Sequence, residues 1–128
     1  MTWPEVVEWL NRAAAVIVYT GREEAQLRAR GFDKHIYIIP PGVGPEFCGS
    51  FYGPRAGVIT VEARAGAKGG SRVKAACDEL AIPCKVLTGL TKKELIVEYQ
   101  KARLFVCASE YDTFNLTVLE ALACGCRV

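Results

Sequence analysis

Asp112 and Glu120 flank the start of one periodic apolar segment near the C-terminus, and their surroundings set the chemistry they could serve. Leu116, Leu119, Leu122 and Ala123 recur at helical spacing and are closed by Gly125. The segment before them, 103–108 (Arg-Leu-Phe-Val-Cys-Ala), reads as a buried parallel strand. Strand, polar turn and helix put Asp112 ahead of the helix N-terminus and Glu120 inside the helix. The backbone N–H groups of Phe114, Asn115 and Leu116 should be open, because a first turn has no intrahelical acceptors. With the helix dipole they would make an anion site. A second set of charges, Arg64 and Lys68, lies in the Gly/Ala-rich basic loop 64–70 after the apolar run 57–61. Loops that follow parallel strands meet at the carboxyl edge of a doubly wound sheet, where ligands bind. The chemistry on offer is capture of a small anion between cations and backbone amides.

Each of these residues has a plainer use. Arg64 and Lys68 also suit a solvated loop. Asp112 would serve as a helix N-cap, Glu120 beside Leu119 as a surface acid, and Gly125 as a C-cap whatever the function. His35, at a strand start, reads as structural. Cys124-x-Cys126 reads as two packed thiols rather than a redox pair.

Stepping along the chain, Thr2-x-x-Glu5 opens a short helix carrying Val6, Val7, Trp9 and Leu10. The run 13–19 is a buried strand. Thr20-x-x-Glu23 starts a helix that ends near Gly31, and 36–39 is the next strand. Residues 40–45 (Pro-Pro-Gly-Val-Gly-Pro) form a rigid turn or linker. A second block follows: strand 57–61, the basic loop, a helix capped by Ser71 with Val73, Ala76 and Leu80 on one face, and strand 84–88. Thr91-x-x-Glu94 caps a further helix with Leu95, Tyr99 and Ala102 on its core side. Then come strand 103–108, a helix from about 113 to 124, and a last strand at 126–128. The alternation implies an α/β fold: a mostly parallel Rossmann-like sheet with helices on both faces.

At 128 residues and 51% apolar composition, one domain with an ample core fits and two full ones do not. A net charge of +2 argues against a nucleic-acid footprint. The charge is uneven: ten Lys/Arg against five Asp/Glu over 53–103, five against six over 1–50. That basic middle suits an anionic ligand or a solvated surface. No apolar run approaches the ~18–20 residues of a membrane span, and the acidic start Met1-Thr2-Trp3-Pro4-Glu5 is not a secretory signal, so a cytoplasmic protein is expected. The six cysteines lack Cys-x-x-Cys spacing and one His completes no metal cluster. Only four Asn and Gln occur, a thermophile-like trait.

The run Asp112-Thr113-Phe114-Asn115, four residues, then Glu120-Ala121-Leu122-Ala123-Cys124-Gly125 resembles the signature of retaining GT-B-type glycosyltransferases of the group 1 mannosyl/glucosyltransferase kind. That signature is an acid, any residue, Phe-Gly, four residues and Glu-Ala-x-Ala-x-Gly. Asp112 stands where Glu is usual, and Asn115 where Gly is usual. The run 36–43, ending Ile-Pro-Pro-Gly-Val, resembles the family's exit from its N-terminal lobe. Residues 61–69 resemble its Val-Gly-Arg…Lys-Gly segment with altered spacing.

The resemblance implies a transferase that moves a hexose from a nucleoside diphosphate sugar with retention. Asp112 would sit by the donor sugar as the catalytic acid group. Arg64, Lys68 and the amides of Phe114, Asn115 and Leu116 would hold the diphosphate, and Glu120 the ribose hydroxyls. No metal or cofactor is expected; the nucleotide sugar is a substrate, and an acceptor of unknown kind is the partner. Residues 1–45 would be the remnant of an N-terminal lobe and linker, and 46–128 a partial donor-binding domain. With most of the acceptor lobe missing, the isolated chain is expected to be inactive and to associate with a second copy or a partner lobe. A non-catalytic nucleotide-sugar-binding module and an α/β interaction domain with an inactive site stay open as alternatives.

Overall fold

The computed structural model describes residues 2–49, 51–62, 68–110, 112 and 114–128. They form two compact units, Met1–Gly42 and Val43–Val128. As the strand and helix alternation implied, the fold is α/β, and every described strand pair is parallel. The strands form two sheets, one in each unit.

In the first unit, helix α1 (Trp3–Leu10), strand β1 (Ala15–Val18), helix α2 (Gly21–Ala29) and strand β2 (His35–Ile38) follow in order. β1 and β2 pair with Val16 opposite Ile36 and Val18 opposite Ile38. Val7, Val18, Leu27, Phe32 and Ile36 form the core. The start of α2 obeys its capping box. The Thr20 hydroxyl accepts from the Glu23 N–H at 3.3 Å, and the Glu23 carboxylate accepts from the Thr20 N–H at 2.9 Å. Alternation leaves the opposite sheet face open, with Ile17 62% and Tyr37 52% exposed.

The second unit begins with a single 3-10 turn, Pro45–Phe47, followed by β3 (Ala56–Val61), α3 (Gly70–Glu79), β4 (Cys84–Leu87), α4 (Lys92–Lys101), β5 (Ala102–Phe105) and α5 (Leu116–Ala123). The sheet order is β4-β3-β5. Arg127 adds a parallel bridge to Leu104 outside β5, and its carbonyl accepts from the Phe105 N–H at 2.7 Å. The side-chain alternation of β3 distributes the helices. Val58 packs with Val73 and Cys77 of α3 on one face. Ile59 and Val61 face the larger core of Phe47, Leu87, Tyr99, Phe105 and Ala121, with α4 and α5 on that side.

At the amino edge of this sheet, Arg55 ties two helix ends together. Its guanidinium donates to the carbonyls of Tyr99 at 3.1 Å and Cys124 at 2.8 Å. A cation against helix C-termini is favourable for the dipole as well as for the exposed carbonyls. Gly125 closes α5 with φ +73°, and a Cβ there would come within 3.0 Å of Arg55 Nη2.

Candidate functional site

The carboxyl edge of the three-stranded sheet is built by two loops, one after β3 and one after β5. Glu62 stands at the end of β3. Its carboxylate accepts from the Lys68 N–H at 3.0 Å and from the Gly70 N–H at 2.7 Å, so it caps the start of α3. The sequence reading placed a Ser71 cap there. The helix instead begins at Gly70, with Gly69 as N-cap at φ +69°. Gly69 is packed against the other loop: a Cβ on it would lie 2.4 Å from the Ala108 carbonyl oxygen. Arg72 Nη2 donates to that same carbonyl at 3.0 Å, and its other terminal nitrogen pairs with Glu110.

Across this contact, Lys68 Nζ donates to Asp112 Oδ2 at 2.5 Å, with both side chains partly shielded from solvent. Two residues separated along the chain by a strand, two helices and another strand therefore meet, as the carboxyl-edge argument required. Arg64 lies outside the described residues. Among those described, Lys68 pairs with Asp112 and Arg72 with Glu110, so these two cations arrive already paired.

The expected open amides are corrected at Leu116. Its N–H donates to the Phe114 carbonyl at 2.9 Å in a tight turn, which delays the start of α5 to Leu116 from the expected 113. Asn115 keeps an ordinary φ of −80°, so the left-handed tolerance of asparagine is not used. Its side chain is tied down: Nδ2 donates to Cys107 Sγ at 2.7 Å, and Oδ1 accepts from the Thr117 hydroxyl at 2.5 Å. Phe114 is half-buried, and the Leu116 side chain is exposed.

Glu120 is not the surface acid of the plainer reading. It is half-buried on α5, and burial raises its carboxyl pKa above the usual carboxylate range. Lys92 of α4 pulls that pKa down, as does the Tyr99 hydroxyl, while Glu46 pushes it up. Lys92 is itself bonded to Glu46 at 2.8 Å, which lowers the Glu46 pKa and raises that of Lys92. Tyr99 is fully buried, and burial drives its phenol pKa well up. Its hydroxyl faces Glu120 but falls short of hydrogen-bond geometry, and has no partner among the described residues.

The other candidates are settled by their surroundings. His35 stacks edge-on with Tyr37 at 4.4 Å in the first unit. All six cysteines are free thiols. Burial pushes Cys124 up to about 11, which makes it a poor nucleophile. Among the described residues no His, Cys, Asp and Glu cluster could hold a metal, and no helix is long and apolar enough to cross a membrane.

Sequence reasoning missed Glu62, Arg72 and the Tyr99 hydroxyl. An acid ending an otherwise apolar strand was a signal for Glu62. Tyr99 was read as a core residue from its helical spacing, which says nothing about its oxygen.

A parallel α/β sheet with paired cations and acids gathered at its carboxyl edge is the place where open α/β sheets bind their ligands. The glycosyl transferases group 1 family model matches residues 65–128, half of the chain, and the chain belongs to that family. Its class is thus that of the GT-B-type glycosyltransferases, which take a nucleotide-sugar donor and an acceptor. No curated protein matches the chain significantly.

Proposed function

We propose that the chain is the donor-binding part of a transferase that moves a hexose from a nucleoside diphosphate sugar with retention. One observation carries this reading: the Lys68–Asp112 pair, which joins the loop after β3 to the turn before α5 at a single point on the carboxyl edge. Transfer requires charge on the leaving diphosphate to be met by fixed donors. Lys68 is the described cation placed to do so, exchanging Asp112 for a phosphate oxygen. Arg64 and the amides of the turn at Phe114 and Asn115 complete the proposed diphosphate contacts. Asp112, released, is the acid beside the donor sugar. Glu120, half-buried on α5, has two carboxylate oxygens suited to accept from the paired ribose hydroxyls.

Residues 1–45 belong, on this reading, to the end of an N-terminal lobe and its linker, and 46–128 to a partial donor lobe. The reaction needs no resident metal or cofactor. The open face of the β1–β2 sheet supports association with a second copy or a partner lobe. The contrasting reading is a module that binds a nucleotide sugar without transfer; the paired state of Lys68 favours it in the isolated chain.

Calorimetric titration with UDP-, GDP- and ADP-sugars tests the proposal. Weak binding that Lys68→Ala abolishes is expected, without transfer by the isolated chain. No binding of any of the three would overturn it.

A further inference from the structure

A fully buried hydroxyl without a partner is costly, because a phenylalanine would fill the same space without a stranded donor. Tyr99 is such a residue: it is 0% exposed, and its oxygen has no hydrogen-bond partner among the described residues. The ring itself is well placed, meeting Phe105 edge-on at 5.6 Å, so packing accounts for the ring and not for the oxygen. The oxygen lies on the α4 side of the α4–α5 contact, facing the carboxylate of Glu120.

We infer that Tyr99 is a positioning residue for Glu120: its hydroxyl is held ready to donate to the Glu120 carboxylate once a nucleoside's ribose hydroxyls engage the other carboxylate oxygen. This rests on the donor-site reading above. A carboxylate can accept from several donors at once, and a buried neutral phenol fixes one oxygen without adding charge. In the free chain the hydroxyl already favours the ionised carboxylate without reaching full hydrogen-bond geometry; the full bond forms when Glu120 takes its ligand-bearing position. Most of its gain then belongs to the bound state and adds to nucleotide affinity.

Besides burial, three groups shift the Glu120 titration, Lys92, Tyr99 and Glu46, while the Cys124 thiol nearby stays neutral. Tyr99 and Lys92 face Glu120 from α4, Glu46 from the 3-10 turn, and Cys124 from one turn further along α5. Lys92 is shared with Glu46, which leaves Tyr99 as the neutral donor directed at Glu120. Tyr99→Phe should therefore raise the Glu120 pKa further.

The test compares the wild-type chain with Tyr99→Phe and Glu120→Gln, each titrated with UDP, GDP and ADP across acid to neutral pH. The Glu120 carboxyl is followed separately by NMR in the free protein, and thermal melting is recorded for each variant. Tyr99→Phe is expected to melt no lower than wild type. It should also bind the preferred nucleotide about tenfold more weakly, equal to about 1.4 kcal/mol. Its affinity should fall off at a higher pH as acid is added. In the Glu120→Gln background the same substitution should have little further effect on affinity. A variant that melts lower yet binds with unchanged affinity and pH profile would mark the hydroxyl as purely structural and overturn the inference. An unmoved Glu120 titration would overturn it too. Failure of the wild-type chain to bind any of the three nucleotides overturns the donor-site reading itself, and the positioning role with it.

Discussion

At Lys68 the protein holds a cation that is already spoken for. The Asp112 carboxylate must leave before a phosphate can take its place, so the pair sets nucleotide affinity against itself. Partly exposed pairs of this kind contribute up to about 1 kcal/mol. Asp112→Ala should then tighten binding of the free nucleoside diphosphate by up to about fivefold, while lowering turnover in whatever longer protein or complex transfers sugar. Calorimetry and rate measurements on the same variant check both halves; weaker nucleotide binding would show that Asp112 does not compete. Glu120 carries a pH signature. Its folded pKa is raised by burial, so its ionised form is disfavoured in the folded state. The resulting cost is absent below the ordinary carboxyl pKa and grows as pH rises through the folded value. Glu120→Gln should accordingly melt higher than wild type at neutral pH and alike in acid, as pH-dependent melting curves would reveal. The sequence made both acids legible by position, because helical spacing fixes where they stand. It could not reveal the groups they face, since the Lys68–Asp112 pair and the approach of the Tyr99 hydroxyl to Glu120 are made by tertiary packing.

Among the elements, local signals were read well wherever a side chain decides them alone. The capping boxes at Thr20 and Thr91 start α2 and α4 as expected, with Thr91 and Glu94 exchanging the same reciprocal bonds. The start of α3 was misread because its cap comes from Glu62 on the preceding strand, out of reach of any local pattern. The start of α5 shifted because the Leu116 N–H turns back onto Phe114. Gly69 joins these two elements. Its positive φ excludes an ordinary side chain at a cost of roughly 1 kcal/mol. A methyl group would, besides, press on the Ala108 carbonyl, which is backbone and cannot turn aside. Gly69→Ala is expected to destabilise the second unit by more than that conformational cost, about 2 kcal/mol or above, and to separate Lys68 from Asp112. Urea denaturation gives the first quantity and nucleotide titration the second. Stability within experimental error of wild type would mean that the two loops do not press on each other.

For the whole chain, the parallel α/β class followed from alternating strands and helices, and the resemblance set residues 1–45 apart from the rest, whereas periodicity alone does not divide the strands into two sheets. Apolar runs at 13–19 and 57–61 look alike in sequence, and which strand they pair with is decided by the surfaces each unit can bury. The first unit keeps a two-stranded parallel sheet with Ile17 and Tyr37 turned outward. Parallel strands are normally covered on both faces, so light scattering should find dimers or larger species at high concentration, and a clean monomer would count against association. The second unit carries its own lock in Arg55, whose acceptors Tyr99 and Cys124 lie 44 and 69 residues further along the chain. Those carbonyls come together only after α4, β5 and α5 have all docked, so the clasp is among the last contacts to close as the chain folds. An interaction made that late leaves the folding rate almost untouched and acts instead as a brake on escape from the native state. Arg55→Ala should shorten the native lifetime, with unfolding faster by on the order of tenfold if about 1.4 kcal/mol is lost, while stopped-flow refolding runs at nearly the wild-type pace. The amino edge of the sheet, remote from the Lys68–Asp112 chemistry, would then govern how long the opposite edge persists in working order.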